Sequence, residues 1–107
     1  MEPDAHLKNL LLNYGVKRIE VRYRVDVASR RVEREIKGVD NPYRERVITA
    51  IAELGDNPRP HGCTKLEGIY HRIRVGPYRV IYGVLDDEHI IVVHRVCRRS
   101  ESTYRNL

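Results

Sequence analysis

Polar and apolar residues alternate with period two in separate stretches of this chain. Over Ile19–Val27, Ile19, Val21, Tyr23, Val25 and Val27 fall on one side and Glu20, Arg22, Arg24 and Asp26 on the other. That is the pattern of a half-buried strand. Tyr70–Leu85 carries the pattern twice, about Gly76–Pro77. Arg72 and Arg74 alternate with Ile73 and Val75; then Tyr78, Val80, Tyr82 and Val84 alternate with Arg79, Ile81 and Gly83. A two-residue loop at Gly76–Pro77 pairs Val75 with Tyr78. It therefore sets Arg74 opposite Arg79 and Arg72 opposite Ile81, with all three arginines on one face. His89–Val96, continuously apolar through Ile90–Val93, reads as a central strand.

Helical spacing fills the interval between the first strand and the hairpin. Ser29 caps a helix on which Val32, Ile36 and Val39 recur, ended by Gly38. Asn41 as cap and Pro42 in the first turn start a second helix with the stripe Val47, Ile48, Ile51 and Leu54, ended by Gly55. The short connection predicts an antiparallel helix pair. Asp56–Gly62 is rich in turn formers and reads as a loop. Upstream, Asp4 could cap a short helix bearing Leu7, Leu10, Leu11 and Tyr14, so residues 1–18 are expected to be a helical extension on the edge of a domain spanning 19–107. Strand, two helices, three strands is the order of an α+β domain with helices on one face of an antiparallel sheet.

Composition narrows the function. The 107 residues suit one domain, and 20 Lys+Arg against 15 Asp+Glu leave a formal charge of +5. That excess favours an acidic partner such as nucleic acid. No apolar run approaches the roughly 20 residues of a membrane span, and no signal-peptide pattern is visible, so a cytoplasmic protein is expected. Cys63 and Cys97 have no CxxC spacing, and the histidines are scattered. Separate reduced thiols, no metal and no other cofactor are expected.

The arginine face is where folding and function part company. Like charges directly opposite one another on a ladder destabilise it, by an amount comparable to the ~0.2–1 kcal/mol that favourable pairs contribute. A solvated cationic face is one reading; a polyanion site is the other, because guanidinium forks match phosphate geometry.

The element order, with Asn57-Pro58-Arg59-Pro60, Lys65-Leu66-Glu67-Gly68, Arg72-Ile73-Arg74-Val75-Gly76, Tyr78-Arg79-Val80-Ile81-Tyr82 and Arg98-Arg99…Tyr104, resembles the RelE/ParE superfamily of bacterial and archaeal toxins, from about Tyr23 to Arg105. The resemblance implies a ribonuclease fold that cuts messenger RNA on the ribosome and is neutralised by a cognate antitoxin, with operator DNA met only through the antitoxin complex. It implies catalytic roles for Arg72, Arg74, Arg79, Arg99 and Tyr104, with Arg98 a less certain match to the tail's basic residue. Glu67 departs from the family pattern, standing where many relatives carry a cation, and Cys97 stands where glycine is common.

RNA can be cut by its own 2′-hydroxyl, if an enzyme moves two protons and holds the charge that builds on phosphorus. The arginines suit the second task and are too basic for the first. Tyr104 is the acid or base that the resemblance implies. His94 is a further candidate: a two-residue turn at Asp86–Asp87 would pair it with Arg79. Lys65 and Arg98 are candidate RNA contacts. Tyr78 and Tyr82 fall on the face opposite Arg79 and should pack in the core; His71 falls on the parity opposite the arginines and is left out of the site, and Tyr70 stays open between packing and base stacking. Two further readings remain: a catalytically weak toxin acting mainly through its antitoxin as an operator co-repressor, and a ParE-type gyrase poison.

Overall fold

A computed structural model of the chain describes residues 22–99. The expected helix of residues 1–18, the strand residues Ile19–Val21, and Tyr104 and the rest of the tail lie outside the described residues. The elements are β1 (Arg24–Val27), α1 (Arg30–Lys37), α2 (Tyr43–Leu54), β2 (Thr64–Lys65), β3 (Tyr70–Val75), β4 (Tyr78–Leu85), a 3₁₀ turn at Asp86–Glu88 and β5 (Ile90–Arg98). They form one five-stranded sheet in the order β1-β5-β4-β3-β2.

The sheet is mixed, a correction to the antiparallel expectation. β1 runs parallel to β5, with Val25 beside Ile91 and Val27 beside Val93, while the other pairs are antiparallel. Parallel neighbours need a crossover connection, and the helices lie in the long path between β1 and β5. The first strand is also shorter than its alternation suggested: Arg22 and Tyr23 both donate their N–H groups to the Gly55 carbonyl, outside the ladder.

Both helices bury the stripes their spacing predicted. Val32 and Ile36 of α1 and Val47, Ile48, Ile51 and Leu54 of α2 are excluded from solvent. They meet Ile73, Val75, Tyr78, Val80, Tyr82, Val84, Ile91, Val93 and Val96 in one core on one face of the sheet. Each such aliphatic side chain contributes about 1.5–3 kcal/mol through burial.

The start of α2 differs from expectation. Pro42, not Asn41, stands at its N-cap, after a cis Asn41–Pro42 bond, and no side chain caps the helix. The Tyr43 N–H instead closes a turn on the Asp40 carbonyl at 2.9 Å. Ser29 does precede α1 in extended conformation, but it caps through its carbonyl, which accepts from Val32 and Glu33, not through its hydroxyl.

The edge of β5 beyond β1 is closed by α1. β1 pairs only as far as Val93. Further along, the Val96 N–H donates to Glu35 Oε1 at 2.9 Å, and the same carboxylate receives Arg95 Nε at 2.8 Å and Nη2 at 2.7 Å. A helix side chain thus supplies what the missing strand would have.

Candidate nucleic-acid interface

The β3–β4 hairpin has the register its alternation predicted: Val75 pairs with Tyr78, Arg74 with Arg79 and Arg72 with Ile81. Gly76 makes the turn possible. Its φ of +57° and the fixed negative φ of Pro77 suit a II′ turn. A Cβ at Gly76 would also lie 2.5 Å from the Tyr43 ring, so the turn sits directly on the start of α2.

With the helices on the other face, Arg72, Arg74 and Arg79 share the second face of the sheet. Arg74 is exposed and Arg79 is buried. Arg72 Nη2 donates to Thr64 Oγ1 at 3.2 Å, and Arg79 Nη2 donates to the Arg99 carbonyl at 2.7 Å. The Arg99 N–H in turn donates to the Pro77 carbonyl at 2.8 Å. Both main-chain groups of Arg99 are therefore held by the hairpin, which brings the start of the tail to the arginine cluster. Ile81, Ile90 and Cys97 are buried on this same face, separate from the helix-side core.

Two candidates fall elsewhere. Arg98 pairs with Tyr78, so it turns to the helix side. There its guanidinium lies 5.1 Å from the Tyr78 ring centre and pairs with the Asp40 carboxylate, which also accepts from the Tyr78 hydroxyl. Lys65 pairs with His71, on the parity opposite Arg72, and its Nζ donates to the Gly68 carbonyl at 2.8 Å. Neither joins the arginine cluster.

The placing of His94 also needs correction. The β4–β5 connection is not a two-residue turn: the 3₁₀ turn is followed by His89 in left-handed conformation, and Leu85 pairs with Ile90. A bulge between Ile81 and Tyr82 then leaves His94 as the extra residue, and Arg79 pairs with Cys97. His94 still reaches the second face, but at its other end, where its ring lies 5.3 Å from that of Tyr70.

At the opposite parity, His71 stacks on Tyr82 with ring centres 5.7 Å apart, and its Nδ1–H donates to the Ile69 carbonyl at 3.1 Å. Burial pushes its pKa below the ordinary value. The Tyr82 hydroxyl donates to the Pro58 carbonyl, and burial raises its pKa. Tyr82 belongs to the core, as expected, and His71 is buried against it, away from the arginines. A clamp that the pattern gave no sign of closes the far end: Arg59 makes a two-pronged contact with Asp86, which also accepts from the Tyr23 hydroxyl at 2.7 Å. Arg59, then Tyr23, hold the Asp86 carboxyl down to about 2. Among the described residues no group of three His, Cys, Asp or Glu side chains is placed to hold a metal, and no helix is long and apolar enough to cross a membrane.

A family model described as the ParE toxin of type II toxin–antitoxin systems matches residues 27–103. The chain belongs to the RelE/ParE toxin superfamily. A protein of Methanocaldococcus jannaschii named for the RelE1 toxin is 32% identical over 82 residues, covering 72% of this chain and 90% of that one. The toxin fold of the archaeal RelE–RelB complex from Pyrococcus horikoshii superposes with a TM-score of 0.67 at 26% identity, over 76% of this chain and 99% of that one. A substituted form of E. coli RelE in the free state matches in fold with a TM-score of 0.65 at 22% identity, over 81% and 93%. The RelE-like α+β architecture expected from the element order is the one observed.

Proposed function

We propose that this toxin is a ribosome-dependent messenger-RNA endoribonuclease, in which the 2′-hydroxyl of the RNA attacks the adjacent phosphate. The observation that carries the reading is the gathering of Arg72, Arg74 and Arg79 on one face, with Arg99 tied to the same hairpin through both its main-chain groups. Opposed arginines that cost the sheet stability have a use if they receive a phosphate. As the phosphorus gains a fifth substituent, its oxygens gain charge, and guanidinium N–H groups already in place stabilise that charge without reorganising. Such a reaction needs positioned charge and two proton transfers, and no metal.

The arginines cannot move the protons, since they stay charged at any physiological pH. We assign that step to Tyr104. It stands five residues past Arg99 in the tail. A cognate antitoxin is the expected protein partner, as RelE is seen with RelB in the Pyrococcus and E. coli complexes. Operator DNA would be met through that complex.

Purified protein is incubated with ribosomes carrying a defined mRNA, beside Arg79→Ala and Tyr104→Phe. Cutting that both substitutions impair supports the reading and the site. Cutting indifferent to Tyr104→Phe keeps the activity and moves proton transfer to another residue. A folded, antitoxin-free protein that cuts nothing defeats the proposal. The matching family bears the ParE name, so gyrase inhibition is the next assay in that event, followed by the antitoxin-bound repressor reading.

A further inference from the structure

Tyr70 begins β3 two residues before Arg72 and on the same face. Its ring lies 5.3 Å from that of His94, tilted by 58°. His94 is available there because the bulge removes it from the β4–β5 pairing. The partner of Tyr70 across the ladder is Gly83, which adds no side chain. Over that gap lies Ile69: its Cδ1 would be 2.9 Å from a Cβ at Gly83, yet Ile69 itself is 42% exposed. It is the one large hydrophobic side chain so exposed among the described residues. Two half-buried rings and an exposed aliphatic chain thus form a corner floored by glycine, beside a guanidinium.

The chemistry of that corner is complementary to a nucleotide. A two-residue step along a strand is about 6.7 Å, so Arg72 can hold a phosphate while Tyr70 meets the base attached next to it. Unpaired bases splayed from a single strand stack on aromatic side chains, and every base offers a π face. We infer that Tyr70 and His94 form a stacking corner for one unpaired base of the RNA strand whose phosphates lie along Arg72, Arg74 and Arg79. This deepens the endoribonuclease reading and rests on its assignment of RNA to the arginine face.

The test separates binding from cutting. The full-length, antitoxin-free protein is titrated with a fluorescent, uncleavable 2′-O-methyl RNA hexamer, and with hexamers carrying one abasic ribose at each position in turn. The expected result is one position at which removing the base weakens binding about five- to a hundredfold, the range for stacking on one aromatic side chain. Tyr70→Leu should weaken binding of the intact hexamer equally and erase that difference, while Tyr70→Phe retains it. His94→Ala should narrow it. The salt dependence of Tyr70→Leu should match that of the unaltered protein, because the phosphate contacts remain. No binding, no base-dependent position, or full discrimination by a folded Tyr70→Leu protein would overturn the inference. Base discrimination through Tyr70 in a protein that cuts no ribosomal mRNA would leave the corner standing and remove the enzymatic reading instead.

Discussion

Arginine serves two ends in this molecule, and the contrast lies within a few residues of β5. Arg95, which pairs with Ile81 at the β5 edge of the sheet, is gripped by Glu35, and on the helix side Arg98 is held by Asp40, each carboxylate coming from or just beyond α1. On the second face, Arg74 and Arg79 stand directly opposite one another, and the partners described for Arg72 and Arg79 are a hydroxyl and a carbonyl. The first arrangement joins a helix to a strand and is complete within the protein. The second sets like charges across the ladder, which costs it energy, and under the proposed function that face receives the phosphates of the RNA. Residue type alone therefore predicts little; the neighbour across the strand decides.

The sharpest way to break this comparison is to remove one arginine from each side. Arg79→Ala should lower the rate of mRNA cutting about 10²- to 10³-fold, the usual loss on removing one donor to a developing oxyanion, with folding intact. Arg98→Ala should leave cutting within a fewfold, because its exposed pair with Asp40 serves the fold, and should cost up to about 1 kcal/mol in urea unfolding. Reversed effects would mean that Arg98, not Arg79, faces the substrate.

The largest structural effect is expected at Glu35. Glu35→Ala strips the Val96 N–H and the Arg95 guanidinium of a shared acceptor, both of them mostly buried. A loss of about 2–4 kcal/mol follows from leaving a donor and a charge without that partner. Urea titration at constant slope would measure it. A loss under about 0.5 kcal/mol would mean that water closes this edge of β5 as well as the carboxylate does.

Gly76→Ala tests the turn that carries the arginines. The left-handed conformation costs an alanine about 1–2 kcal/mol, and the new Cβ meets the Tyr43 ring at 2.5 Å. Adding Tyr43→Ala should recover the steric part and not the conformational part, which a double-mutant cycle resolves. If Tyr43→Ala recovers nothing, the turn does not depend on its seat against α2.

How much of this was legible beforehand follows from what alternation can and cannot encode. The arginine face was legible, because a two-residue turn between strictly alternating strands leaves one register. His94 was misplaced because β-bulges and four-residue turns leave no period-two trace; a shift of register by a few residues suffices to take it from Arg79 to Tyr70. The parallel pairing of β1 with β5 was hidden for a related reason: strand direction follows from the crossover path, not from the pattern of either strand. Tyr70 carried a signal that was not used. It has the same parity as Arg72 and Arg74, which already placed it on their face. The Arg59–Asp86–Tyr23 clamp joins three distant segments, and nothing local announces such a contact.

The two buried or clamped acids and bases away from the arginine face should write themselves into the pH dependence of stability. His71 is buried against Tyr82 and has its pKa depressed below 6.5, chiefly by desolvation. The unfolded chain therefore takes up that proton more readily, so the stability that neutral His71 supports is present above about pH 6.5 and declines as pH falls below it. Asp86 has its carboxyl held near 2 against an ordinary 3.8, chiefly by Arg59. Its contribution is present above about pH 4 and is lost between there and pH 2 by the same sign argument. The urea midpoint should consequently fall in two separate acid steps. His71→Gln should flatten the upper step and leave the lower, whereas Asp86→Asn, which keeps an acceptor for Tyr23 but no charge for Arg59, should do the reverse. An upper step that survives His71→Gln would place the responsible proton on another histidine, and the loss of both steps in either variant would mean that the His71 and Asp86 titrations are electrostatically coupled.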